Sequence, residues 1–165
     1  MGAVKSVNLK NATVTLVDGT TPTANTLEFK MADGNITFSI RRNLEYRRNR
    51  GKLSGGEVRE GDEEPCELSI EGRFDHVRSS SGDPVTVTEF LTKTNAASAF
   101  ATTGSACEPD AVDVRVDLDY DCTDIEDERL TFSEFRFEEI GGDFQAGQLS
   151  VSGRSNEVQP AAERT

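Results

Sequence analysis

The stretch that decides the fold reads Val112-Asp113-Val114-Arg115-Val116-Asp117-Leu118-Asp119-Tyr120, in which apolar and charged residues alternate without a break. Successive side chains of a β-strand point to opposite faces of the sheet, so this period of two predicts a strand with one buried and one solvated face. A second β-rich stretch follows over residues 130–140. Its apolar phase slips between Phe132 and Phe135, which predicts a β-bulge at that point.

The same alternation recurs through the rest of the chain. Residues 4–9, 12–17, 27–31, 36–40 and 66–74 each carry a pattern that predicts a strand. Asp33-Gly34 lies between two of these stretches and predicts a hairpin turn, and Gly141-Gly142 predicts another one. Gly72 inside a strand pattern indicates a further bulge.

One segment has helical spacing. Val87, Phe90 and Leu91 fall at positions i, i+3 and i+4, which gives a short apolar stripe. Asp83-Pro84 is typical of an N-cap followed by proline at the first helical position. The expected fold is therefore mainly β: a β-sandwich or partly closed barrel of about eight strands with one short flanking α-helix.

A long charged segment interrupts the strand pattern. Residues 47–64 are rich in glycine and charge, and their only apolar side chains are Leu53 and Val58. Such a segment is too polar to pack and is longer than an ordinary loop. Loops of this length are usually functional or disordered. The sequence thus predicts a single domain over residues 1–155 with a long inter-strand loop at 47–64, followed by a mobile polar tail at 156–165.

The composition of the chain disfavours several classes of function. The 165 residues include 30 acids, 18 bases and one histidine, for a net charge of −12. A chain this acidic is expected to repel nucleic acid and anionic membranes. No apolar run approaches the roughly 20 residues of a membrane span, and the N-terminus lacks the apolar block of a signal peptide. Three widely spaced cysteines predict buried free thiols in a soluble protein that is not secreted by that route.

No catalytic or metal-binding pattern stands out. His76 is the only histidine, and its place between a strand and a serine loop favours a structural role. Asp117, Asp119 and Asp121 copy the spacing of a calcium loop, but Cys122 stands where that loop needs glycine. A solvated acidic strand face explains them better, and we expect neither an enzyme nor a cofactor.

A basic cluster is the most distinctive charged feature. Six of the bases lie among residues 41–52: Arg41, Arg42, Arg47, Arg48, Arg50 and Lys52. With Glu45 the cluster nets +5, so the rest of the chain nets −17. The cluster is either a solvated basic loop or a surface that docks on the acidic region of another copy. Residues 108–139, with 13 acids and three arginines, are the natural counter-surface.

In the order and texture of its segments the sequence resembles the major tail tube proteins of long-tailed bacteriophages, of the siphophage type. The resemblance rests on the charged loop, the strand Cys66-Glu67-Leu68-Ser69-Ile70-Glu71-Gly72 and the helix near residues 86–93. The closing strand Gly147-Gln148-Leu149-Ser150-Val151-Ser152-Gly153-Arg154 is the most family-like stretch. The match covers most of residues 1–155 and is a pattern of strands rather than a catalytic signature.

The resemblance implies a structural virion protein whose homohexameric rings stack into the tail tube, an acidic conduit through which viral DNA passes without specific binding. It implies that the six bases of the cluster make inter-ring contacts. It also implies an acidic counter-surface or lumen, for which the candidates are Asp33, Asp113, Asp117, Asp119 and Asp121. The implied partners are further copies of the chain and the tape measure, distal tail and tail terminator proteins, with no membrane. The implied location is the virion tail, assembled in the bacterial host cytoplasm.

Two other interpretations remain open. One is a β-sandwich binding module for carbohydrate or for calcium-dependent adhesion, which the absence of tryptophan and the scarcity of tyrosine disfavour. The other is a single-ring tail terminator or neck protein of similar fold, which would form rings without stacking.

Overall fold

The structure is a computed structural model that describes residues 12–29, 35–73, 77–78, 84–119 and 126–164, with only the backbone described at Leu53, Val77 and Arg78. In chain order its strands are β1 (Ala12–Val17), β2 (Thr26–Phe29), β3 (Ile36–Ser39), β4 (Leu44–Asn49), β5 (Lys52–Glu60), β6 (Glu67–Arg73), β7 (Val77–Arg78), β8 (Pro84–Val85), β9 (Val112–Leu118), β10 (Glu128–Asp143), β11 (Gln148–Arg154) and β12 (Ala161–Arg164). The helices are α1 (Val87–Thr92) and a short 3₁₀ helix (Asn95–Ala97).

Eight of these strands form one antiparallel sheet. The order is β2-β1-β9-β10-β11-β6-β3, and β12 pairs with β10 beside this path. Within the described residues the two end strands, β2 and β3, do not pair with each other, so the sheet is open rather than closed into a barrel. The predicted mainly β class with one short α-helix is confirmed.

The long strand β10 divides the sheet into two layers. Its first part pairs with β9 and its second part, from Arg136 onward, pairs with β11. The register shifts between Phe132 and Phe135, which confirms the predicted bulge, and again between Phe137 and Glu139. Bulges bend a strand and increase its twist, so β10 can serve both layers of a sandwich.

The core lies between these layers. The sheet contributes Leu16 and Phe29 from one layer and Ile70 and Val151 from the other, and all four meet around one small interior space. The alternation that predicted β9 is the burial pattern found, because Val112, Val114 and Val116 are buried while the charged residues between them are partly exposed.

Helix α1 covers one side of this core with the predicted stripe. Val87, Phe90 and Leu91 are all buried. The N-cap is Thr86, however, and not Asp83, which lies outside the described residues. Thr86 and Glu89 form a capping box in which each backbone N–H donates to the other side chain, at 3.1 Å in both directions. This reciprocal cap satisfies two free donors of the first turn, and Pro84 belongs to β8 instead.

The hairpin predicted around Asp33-Gly34 is wrong in its strand pairing. β2 pairs with β1 and β3 pairs with β6, so the two strands lie at opposite ends of the sheet. The turn residues themselves fall outside the described residues, as does the strand predicted at 4–9. β1 is the better partner for β2 because it places Val14 opposite Phe29 in the core.

The glycine signals were also misleading. Gly72 pairs in regular register with Leu149, so it marks no bulge. Gly141-Gly142 lies inside β10, and the chain turns over residues 144–147 instead. Asp143 accepts backbone hydrogen bonds from Gln145 and Ala146, and Gly147 has a φ of 65°. These features place the turn four residues later than the double glycine indicated.

The segment predicted as a long loop is mostly a hairpin. Residues 44–60 form β4 and β5, joined by Arg50-Gly51 with φ of 51° and 79°. Positive φ at both positions is typical of a type I′ turn, whose twist matches paired strands. The segment is predicted as a loop because it has no apolar stripe. The backbone hydrogen bonds of a hairpin, however, form without an apolar stripe. In the tail, Ala161–Arg164 pairs with β10 as the short strand β12.

Candidate assembly surfaces

The β4–β5 hairpin, residues 44–60, projects from the sandwich, and we call it the arm. Every described side chain from Glu45 to Glu60 is exposed. The arm is closed at its base, where the Gly61 N–H donates to the Asn43 carbonyl oxygen at 2.8 Å. A Cβ on Gly61 would lie 2.9 Å from the Asn43 side chain, so glycine permits this close approach.

The two faces of the arm differ. One face carries Tyr46 directly opposite Val58, and these side chains are 60% and 57% exposed. The other face carries opposite charges across the strands, with Glu45 facing Arg59 and Arg47 facing Glu57. Because both side chains are more than half exposed, this pair leaves apolar surface in contact with water. The contact between them stabilises the hairpin only modestly.

The structure divides the predicted basic cluster into two groups. Arg41 pairs with Glu67 at 3.0 Å and Arg42 pairs with Glu60, so both bases hold the foot of the arm within the chain. The other four bases lie towards the tip: Arg47, Arg48, Arg50 and Lys52. None of these four has an ion pair with another described residue. The arm therefore presents uncompensated positive charge on an acidic protein.

The predicted acidic candidates are less uniform. Asp113 and Asp117 lie on the solvated face of β9, and the exposed Asp119 follows the strand. Asp117 is 2.5 Å from Arg129, and that hydrogen bond is the main reason why the pKa of Arg129 is raised. The Asp113 carboxylate accepts a hydrogen bond from the Glu134 N–H at the bulge of β10, at 3.0 Å. Asp33 and Asp121 lie outside the described residues.

A second polar network, which the sequence analysis missed, ties the loop before β9 to β10. Arg136 donates to the Pro109 carbonyl oxygen at 3.0 Å and pairs with Glu108 at 2.5 Å and with Glu134 at 3.4 Å. Its side chain is only 24% exposed, which makes this the most enclosed arginine among the ion pairs of the described residues. A local signal for it is lacking because two of its partners, Pro109 and Glu108, are 27 and 28 residues away in sequence.

Two buried polar groups also escaped the sequence analysis. Asp18 is 3% exposed and accepts hydrogen bonds from the backbone and side chains of Thr20 and Asn25. Burial by itself raises the pKa of Asp18, but these hydrogen bonds outweigh it and leave the pKa below its ordinary value. Lys93, at the C-cap of α1, places its ammonium 5.0 Å from the centre of the Phe90 ring. Burial lowers the pKa of Lys93.

The cysteines follow the prediction in part. Cys66 is a buried free thiol whose pKa is raised by burial. Cys107 is also free but exposed, which contradicts the expected burial, because it lies in a turn after Ser105 rather than beside a strand. Cys122 and His76 lie outside the described residues.

The described residues offer little for catalysis or metal binding. They contain no group of three or more histidine, cysteine, aspartate or glutamate side chains that could hold a metal ion. Half of the calcium-loop spacing that begins at Asp117 falls on residues 120–125, which are not described. In the part of the chain that the structure covers, no helix has the length and apolar character needed to cross a membrane.

Comparison with known proteins finds solved structures of similar fold but assigns the chain to no family. No protein-family model matches the sequence, and no curated protein matches it significantly. Among solved structures the chain is similar to the PVC sheath/tube terminator of an extracellular contractile injection system in its extended state, with a TM-score of 0.61 and 8% identity over 98% of this chain and 99% of that one. It is also similar to a chain of the six-fold symmetrised baseplate of the anti-feeding prophage, with a TM-score of 0.55 and 11% identity over 99% and 97%. The chain thus shares its whole fold with components of tail-like injection particles.

Proposed function

We propose that the chain is a structural subunit of a phage-tail-like particle and that its copies form six-membered rings which stack into a tube. The observation that carries this proposal is the arm, which is a formed hairpin with its described side chains from 45 to 60 exposed. A projection that buries none of these side chains in its own chain is explained by a partner that covers it. The fold shared with two components of tail-like particles supports the same proposal.

Charge indicates that the partner is another copy. The tip bases are unpaired within the described residues, and the chain as a whole carries a net charge of −12. A basic arm on an acidic body is electrostatically complementary to a second copy of itself. In this proposal Arg47, Arg48, Arg50 and Lys52 make inter-ring contacts, while Arg41 and Arg42 position the arm.

The net charge also suits a conduit. An acidic lumen repels DNA phosphates, so a genome can slide through without sticking. Asp113, Asp117 and Asp119 are the described candidates for the lumen or for the counter-surface of the arm, together with Asp33 and Asp121. The proposal includes a single domain over residues 1–155, a location in the virion tail after assembly in the host cytoplasm, and contacts with tape measure, distal tail and tail terminator proteins.

A terminator that forms one ring and does not stack is the second candidate. The similarity to a sheath/tube terminator favours it specifically. The two candidates differ in one visible outcome, since a tube protein gives hollow tubes of uniform width whereas a terminator gives isolated rings.

Negative-stain electron microscopy of the purified chain at high concentration tests both. The matched variant removes the arm: residues 44–60 are replaced by two glycines, which join Asn43 to Gly61 across a gap that a backbone hydrogen bond already closes. We expect tubes from the natural chain. We expect a folded arm-less subunit, checked by circular dichroism, that no longer stacks.

A smaller change tests whether stacking depends on the charge of the arm as well as on its presence. Arg48→Gln should weaken stacking, whereas Arg73→Gln, which changes the net charge equally, should not. Tubes of normal length from the arm-less variant would contradict the role of the arm. Monomers from the natural chain at every concentration and salt would contradict the self-assembly.

A further inference from the structure

The strand β12 is held almost without side-chain packing. All four of its residues, Ala161 to Arg164, are exposed. Among the described residues it pairs only with β10, along residues 128–131, while β9 occupies the other side of the same stretch. Backbone hydrogen bonds at the edge of the sheet therefore supply most of what keeps β12 in place.

The register of β12 places opposite charges across from each other. Arg164 lies opposite Glu128, and Glu163 lies opposite Arg129. Opposite charges face each other on both faces of this short pair, and a shift of one residue would lose both matches. A strand with no buried side chain thus retains a defined and specific binding site.

A firm anchor precedes β12. The Cys66 N–H donates to the Glu157 carbonyl oxygen at 2.8 Å, and the Ser155 N–H donates to the Cys66 carbonyl oxygen at 3.0 Å. The Asn156 N–H donates to the Ser133 carbonyl oxygen at 3.2 Å. Only residues 158–160 lie between this anchor and the strand, and the last of them is Pro160. Short connections of this kind favour the exchange of an element between copies.

We propose that β12 is exchanged between neighbouring copies, so that Ala161–Arg164 of one copy pairs with residues 128–131 of the next. This inference rests on the proposed function, because assembly is what brings two copies side by side. Three extended residues span about 10 Å, enough to pass from one subunit to one in direct contact with it. Each copy gives a strand and receives one, and such head-to-tail contacts close into a ring.

Exchange is favourable here because little is lost by opening. The contacts that β12 makes within its own chain are remade, residue for residue, in the neighbour. No side chain of β12 has to leave a core, and the anchor at 155–157 stays in place. The gain is that each ring contact becomes a β-pair in which opposite charges face each other.

Cysteine cross-linking between two chains tests the exchange. Thr131 and Ala161 lie opposite each other, and directly paired positions have a Cα separation that a disulfide can bridge. Thr131→Cys and Ala161→Cys are made in separate chains that both carry Cys107→Ser. The two variants are mixed in equal amounts under assembly conditions and oxidised with glutathione disulfide. We expect a disulfide-linked dimer on non-reducing gels in about tenfold greater yield than from either variant alone or from the Cys107→Ser parent.

A double variant with both cysteines in one chain gives the complementary result. Oxidation before assembly should lock β12 onto its own β10 and prevent ring formation, and a reductant should restore it. Rings without a cross-link in the mixture, or normal rings from the locked double variant, would overturn the exchange and leave the proposed function standing. Cross-linked dimers without rings or tubes in the micrographs would support the exchange and count against the proposed function.

Discussion

Two hairpins of this molecule are built alike and situated differently. The β10–β11 hairpin and the arm are both antiparallel, and each contains a register shift. The first buries Leu149 and Val151, whereas the described side chains of the arm between 45 and 60 are all exposed. Backbone pairing alone therefore does not distinguish a core hairpin from a projecting one, and the burial of side chains does.

The difference separates two kinds of information in the sequence. Apolar alternation in β11 encodes a place inside the domain. In the arm, the turn Arg50-Gly51 determines that a hairpin forms. The polar and charged composition of the arm determines that its side chains stay exposed. Regions of the second kind contribute little to the stability of the fold and much to what it contacts. Mutations should reveal this division as a ranking of effects.

The largest effect is expected for a core aromatic residue compared with an arm aromatic residue. Phe132 is fully buried and packs edge-on against Phe38, with ring centres 5.6 Å apart. Phe132→Ala should lower the free energy of unfolding by about 3–5 kcal/mol because it leaves a cavity. Tyr46→Ala should change it by less than about 0.5 kcal/mol. Urea unfolding of both variants measures the contrast, and equal losses would show that the arm packs on the domain.

Glycines give the next contrast. A Cβ on Gly153 would lie 2.1 Å from the Arg136 carbonyl oxygen, so Gly153→Ala forces β10 and β11 apart and should cost about 3 kcal/mol. At Gly51, in the turn of the arm, the added atom meets nothing within 4 Å, and only the positive φ opposes it. Gly51→Ala should cost about 1 kcal/mol, and mostly as fraying of the arm. Thermal melting compares the two, and a Gly51→Ala variant that melts as low as Gly153→Ala would contradict the independence of the arm.

Side-chain periodicity was sufficient to predict several elements of this fold and which of their faces are buried. The alternation around Val114, the slip between Phe132 and Phe135, and the stripe on α1 all appear where the sequence placed them. Each of these signals reports burial, which is the dominant favourable term in folding. The short helix was located correctly even though its cap was not, since capping depends on a single hydrogen-bonded pair.

Partner choice was not readable in the same way. Asp33-Gly34 and Gly141-Gly142 are local turn signals, yet β2 pairs with β1, and Gly141-Gly142 continues a strand. Which strands meet depends on how the whole sheet buries its faces, and a turn dipeptide carries no information on that. The anchor at 155–157 and the contacts of Arg136 join residues far apart in sequence, and for that reason they were missed.

Buried polar contacts provide the third prediction. Asp18→Asn keeps the shape of the side chain but removes the charge that Thr20 and Asn25 stabilise. It should cost about 1.5–3 kcal/mol near neutral pH, the value of hydrogen bonds to a charged group. Because the folded pKa of Asp18 lies below its unfolded value, the contribution of the charge is complete above about pH 4 and is lost as the pH falls through the folded value. The difference between the natural chain and the variant, measured by urea unfolding, should therefore shrink at acid pH, and a constant difference would mean that shape matters more than charge.

The smallest effect should distinguish the ion pairs of the two regions. Arg59 pairs with Glu57 within the arm at 3.0 Å, with both side chains more than half exposed. Such pairs contribute about 0–1 kcal/mol, so Arg59→Gln should leave urea unfolding almost unchanged. Arg136→Gln should cost about 1–2 kcal/mol, because Arg136 is more enclosed and its loss leaves the Pro109 carbonyl oxygen without that donor. If Arg59→Gln nonetheless reduces stacking in micrographs, the charged face of the arm contacts the neighbouring ring.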